Sequence, residues 1–72
     1  MEDMINQIGF LSGDIYNLLC DCGESSILTI KSKLNISNTM TCMAMGWLLR
    51  EGKIYIRKDK DDYMVGLTTC DI

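Results

Sequence analysis

The sequence predicts an α+β domain in which three helices precede a C-terminal β-hairpin. Three observations lead there. Apolar residues recur at three- and four-residue spacing as far as about residue 51, the period changes to two after Gly52, and 72 residues leave room for one domain only. No repeat, linker or low-complexity stretch interrupts this order.

The first helix spans about 3–22. At 100° per residue, Met4, Ile8, Leu11, Ile15, Leu18, Leu19 and Cys22 fall within about 60° of one line, while Asp3, Gln7, Asp14, Asn17 and Asp21 lie off it. Gly23 is the expected C-terminal stop. Gly9 and Gly13 weaken the middle by about 1 kcal/mol each relative to Ala, a pattern that lets another element approach the backbone. Phe10, the only Phe, points away from the apolar stripe.

Glu24-Ser25-Ser26 reads as a short extended piece, and Ser26 as the cap of a second helix over about 27–34. Ile27, Ile30 and Leu34 share one side of that helix. Asn35-Ile36 makes a tight turn. Ser37 or Asn38 then caps a third helix over about 38–51, stopped by Gly52. The runs Lys53–Arg57 and Tyr63–Leu67 alternate around the charged segment 58–62, giving a hairpin over about 53–67. The expected core is Ile8, Leu11, Ile15, Leu19, Ile30, Leu34, Met40, Ala44, Trp47, Leu48, Ile54 and Ile56, with Trp47 as its anchor because its ring is the largest apolar surface in the chain.

Ser37, Met40, Ala44, Trp47, Leu48, Gly52 and Ile54 stand where winged helix-turn-helix domains place a cap, core residues of the third helix, a stop glycine and the first wing residue. The chain therefore resembles that fold. The run Gly46-Trp47-Leu48-Leu49-Arg50-Glu51-Gly52-Lys53-Ile54 is similar, more narrowly, to a bacterial family of short, free-standing winged-helix domains of unknown function. The resemblance extends from about Ile8 to Leu67, and residues 68–72 have no counterpart in it. It implies three helices and a wing; it imports no activity.

Composition narrows the function classes. There is no His and no Pro, so no Ser-His-Asp or Cys-His catalytic pair, no His metal ligand and no proline-rich recognition segment can be built. No apolar run reaches the ~20 residues of a membrane span, and Met1-Glu2-Asp3 has the wrong charge to begin a secretory signal. A cytoplasmic, soluble module is expected. Cys20 and Cys22 would point about 200° apart on a helix, a poor zinc pair. Cys20, Cys22, Cys42 and Cys70 therefore read as reduced thiols, two or three of them packed as small hydrophobes. Asp59, Asp61 and Asp62 lack the ligand spacing, Gly and Glu of a calcium loop, and no Lys follows Gly9 and Gly13 as in a phosphate loop. No enzyme activity, cofactor or metal is expected.

Two kinds of partner stay open. On a helical wheel Met40, Met43, Ala44 and Trp47 share the face of the third helix assigned to the core, which leaves Asn38, Cys42, Met45 and Leu49 opposite. Cys, Met and Leu cannot read base edges, and exposed apolar patches mark interfaces. A chain this short hides only about 60% of its unfolded surface, so a second copy or another protein could cover Phe10, Cys42, Met45 and Leu49. The other partner is nucleic acid. The formal charge of −3 divides into −5 over residues 1–24, +5 over 25–60 and −3 over 61–72. Every base thus lies in the helix-turn-helix and wing, and Lys31, Lys33, Asn38, Thr41, Arg57, Lys58 and Lys60 are the candidate contacts. Tyr16, Tyr55 and Tyr63 could stack on bases, but Tyr at strand positions commonly packs within the hairpin. The sequence favours the interaction and regulatory module, self-associating, over the DNA-binding regulator.

Overall fold

The computed structural model describes residues 2–68. In chain order these form α1 (Glu2–Cys22), β1 (Ser25–Ser26), α2 (Ile27–Leu34), α3 (Asn38–Arg50), β2 (Ile54–Asp59) and β3 (Asp62–Leu67).

Local chemistry sets each boundary. Gly23, at φ 78°, takes the left-handed conformation that ends α1, its N–H bonding to Leu19 O at 2.9 Å. Ser26 caps α2 by accepting from Thr29 N, and Ser37 caps α3 by accepting from Met40 N. Between these helices Asn35, at φ 53° and ψ 53°, turns the chain in the left-handed region that Asn tolerates. Gly52 (φ 73°) follows α3, and Lys53 N closes back on Leu48 O at 3.0 Å.

The three strands make one antiparallel sheet in the order β1-β3-β2. β1 is only two residues long, Ser25 pairing with Val65 and Ser26 with Met64. The short extended piece thus becomes a third strand that shields the open edge of β3. β2 and β3 pair from Ile54↔Leu67 out to Asp59↔Asp62, so the ladder runs further into the charged segment than the alternating runs alone. Lys60 (φ 58°) carries the turn.

Side-chain alternation puts Ile54, Ile56, Val65 and Leu67 on the sheet face toward the helices. The core is Ile15, Leu19, Ile30, Ala44, Met45, Leu48, Ile54 and Val65. Three expectations need correction. Trp47 is 41% exposed and Met45 only 3%, because α3 turns its Thr41–Ala44–Met45–Leu48 stripe inward rather than its Met40–Met43–Trp47 side. Met40 and Ile8 are half-buried at the margin of the core. Val65, absent from the expected set, is fully buried. Polar atoms can enter this stripe because they are paired. Thr41 Oγ donates to Ser37 O at 2.7 Å, and Ser12, buried where α1 meets α3, donates to Ile8 O at 2.7 Å.

The thiols also differ from expectation. Cys20, Cys22 and Cys42 are exposed rather than packed. Cys70 lies outside the described residues. Among the described residues no three His, Cys, Asp or Glu converge to hold a metal, and no helix is long and apolar enough to cross a membrane.

Candidate nucleic-acid interface

The inward stripe of α3 fixes what faces out. At 100° per residue the positions opposite it are Thr39, Met43, Gly46 and Arg50, flanked by Cys42. Thr39, Cys42, Gly46 and Arg50 are exposed and Met43 is half-buried. Met45 is therefore not available to any interface. Thr41 cannot reach a nucleic acid: it is 1% exposed and its hydroxyl is spent on the turn before α3. The outward positions were legible in principle, since Ala44 and Leu48 are four apart and define the stripe. Ring size made Trp47 look like the anchor and shifted the wheel.

Asn38 is exposed in the first turn of α3. Lys31 is half-buried on α2, while Lys33 is exposed with its Nζ 3.6 Å from Cys22 Sγ. Arg57 is paired with Glu24. Its Nε and Nη2 donate to the two carboxylate oxygens of Glu24 at 2.9 and 2.7 Å, and Tyr55 O–H donates to the same group at 2.7 Å. The Arg57 hydrogen bond, with help from Tyr55, lowers the Glu24 pKa from 4.5 to about 2. Tyr55 can reach across because its strand neighbour is Gly66: a Cβ there would overlap the Tyr55 ring. This cluster ties the loop before β1 to the sheet and pairs Arg57 with a carboxylate, while its side chain stays half exposed.

The rest of the wing is sorted by face. Lys58 pairs with Tyr63 on the side of the sheet that carries the core, and both are exposed beyond it. Asp59 pairs with Asp62 on the other side, with Tyr55, Arg57 and Gly66. In sequence the charges alternate and cancel; in the sheet, alternation separates them. Lys60 is exposed at the turn. Phe10 and Leu49, proposed for a protein interface, are 76% and 47% exposed, and Cys42 is exposed as well. Phe10 shares a trough with Trp47, whereas Leu49 is not among the residues that line it.

A helix pair joined by a tight turn, a first helix packed behind it and a C-terminal hairpin closed by a short third strand define a winged helix-turn-helix domain. The chain belongs to the winged helix-turn-helix domain family DUF2582, whose model matches residues 1–67. It is similar to MJ1608, an uncharacterized protein of Methanocaldococcus jannaschii, at 40% identity over 70 residues, covering 93% of this chain and 99% of that protein. That relative is archaeal, so the bacterial character expected from the sequence is not a property of all its relatives. Among solved structures it is similar to the Zalpha domain of Carassius auratus PKZ in complex with Z-DNA. The TM-score is 0.75 at 18% identity, over 85% of this chain and 97% of that one, a likeness of fold.

Proposed function

We propose that this protein is a non-enzymatic winged-helix regulator that grips the phosphate backbone of nucleic acid between the outward face of α3 and the helix side of the wing. One observation carries this function: the wing presents Lys58 beside Tyr63 on the helix side and turns Asp59 and Asp62 away. Support comes from α3, whose outward positions include polar Thr39 and basic Arg50, with Asn38 exposed in its first turn and Met45 inside the core. The apolar outer face that weighed against nucleic acid in the sequence loses Met45 but keeps Cys42 and Leu49, with Met43 half-buried beside them. Lys31, Lys33 and Lys60 extend the basic surface along α2 and the turn. The Z-DNA complex of a domain with the same fold makes the class of ligand reasonable, though not its conformation.

Backbone contact without base reading is the mechanism. Arg50 is the one outward α3 side chain with a bidentate fork, and it sits in the last turn. Affinity should therefore fall steeply with salt and vary little with sequence. Anisotropy of labelled duplexes across a salt series measures this. Lys58→Ala should weaken binding on every duplex and reduce the logarithmic salt slope by about 1. Binding that is absent at low salt, or insensitive to salt, would exclude the mechanism.

A further inference from the structure

Two glycines within α1 have no packing role inside one chain. A Cβ at Gly9 or Gly13 would meet no atom within 4 Å outside the local helix backbone, yet glycine in a helix interior lowers stability relative to alanine. Gly9 lies in a trough of about 350 Å³ bounded by Ile5, Asn6, Phe10 and Trp47. Phe10 is the most exposed large apolar side chain described, at 76%, and Ile5 and Trp47 are 50% and 41% exposed.

We infer that this trough receives Phe10 of a second copy of the chain, forming a two-fold dimer along the α1–α3 edge. A projecting ring and an open trough side by side on one surface are what an isologous contact requires, since each copy supplies both. The area is sufficient for the centre of such a contact. With 150–250 Å² on each aromatic side chain, Phe10, Trp47 and Ile5 together leave roughly 300 Å² of apolar surface per copy. A standard interface of about 800 Å² per partner needs an apolar centre of that order.

Charge selects the same partner. Asp3, Asp14 and Asp21 lie within about 40° of Phe10 around α1, on the side away from Trp47. Beyond the Trp47 side, in the neighbouring groove that also includes Gly9, lies Lys53, its Nζ 5.9 Å from the Tyr16 ring centroid. A second copy seated with Phe10 over Gly9 brings its acidic row to that Lys53. The ion pair found among the described residues, Arg57–Glu24, involves none of these groups. The occupant is thus acidic beside an aromatic ring, as this chain's own α1 is. The inference does not rest on nucleic-acid binding, which uses the wing and the outward face of α3.

Sedimentation equilibrium of the full chain, with Trp47 emission followed over the same concentrations, tests the dimer. The wild type should associate in the micromolar range, with Trp47 emission moving to shorter wavelength as it does. Phe10→Ser and Gly9→Leu should each weaken association at least about tenfold. Gly9→Leu is the decisive variant because its effects oppose one another. Open space at that position and a better helix former should leave the monomer at least as resistant to urea, while the filled trough blocks the partner. Asp14→Lys should weaken the dimer and Asp14→Lys with Lys53→Asp should restore it. A wild type that stays monomeric to high micromolar concentration overturns the inference, as does wild-type association by Gly9→Leu or Phe10→Ser, or a charge-exchanged double variant no tighter than the single.

Discussion

Met45 and Trp47 lie two residues apart on α3 and have opposite environments, so they separate burial from size. Met45→Ala opens a cavity in the core and should cost about 2–4 kcal/mol, whereas Trp47→Ala, with its ring 41% exposed, should cost about 1–2 kcal/mol. Urea unfolding of both variants, below any association range, decides between this order and its reverse. Glu24 offers a second test at this scale. Its folded pKa is depressed from 4.5 to about 2, so the unfolded chain takes up its proton first as acid is added. The stabilisation is fully present above about pH 4.5 and is lost as pH falls toward 2. Glu24→Gln should flatten the acid limb of the stability–pH curve over that window. A curve of unchanged shape would mean that the Arg57 pair contributes nothing to folding.

At the scale of elements, end signals were the most legible part of the sequence. Ser26 and Ser37 cap α2 and α3, and Gly23 and Gly52 follow the helices they were expected to stop. These are local effects, set by backbone conformation and one hydrogen bond. What the sequence left ambiguous was the rotation of α3. Its 13 residues include apolar side chains on nearly every side, so the period is weak and burial depends on what α1 and the sheet present. The wing turn carries a different kind of strain. Lys60 occupies the left-handed region at φ 58°, which costs a residue with a Cβ roughly 1–2 kcal/mol. Lys60→Gly should therefore raise stability by about 1 kcal/mol in urea unfolding. A loss of stability would show that the lysine side chain makes a compensating contact.

For the whole molecule, net charge is a poor guide and its arrangement a better one. The −3 of the chain contains an acidic α1 and a basic stretch through α2, α3 and the wing. The fold subdivides that stretch again, pairing Arg57 with Glu24 and turning Lys58 away from Asp59. About three phosphate contacts would give a logarithmic salt slope near −3 on duplex DNA, so that a roughly fourfold rise in salt weakens binding by tens of fold. The acidic, aromatic edge of α1 lies on another side. A dimer formed there would carry two wings, adding avidity to two individually weak grips if their spacing suits one duplex.

The sequence by itself determined the order of helices and hairpin, the caps and stops, the α+β class and the absence of histidine chemistry, because each follows from residue type at short range; the winged-helix class came from a resemblance carried by Ser37 to Ile54. Only the tertiary structure decided that Met45 and Thr41 are inside and Trp47 half outside, that Arg57 answers Glu24 across 33 residues of chain, and that the wing's charges separate by face. Those are questions of which side of an element meets which neighbour. A helix with apolar residues all round, or a strand whose charges alternate, leaves them open until packing and strand register choose.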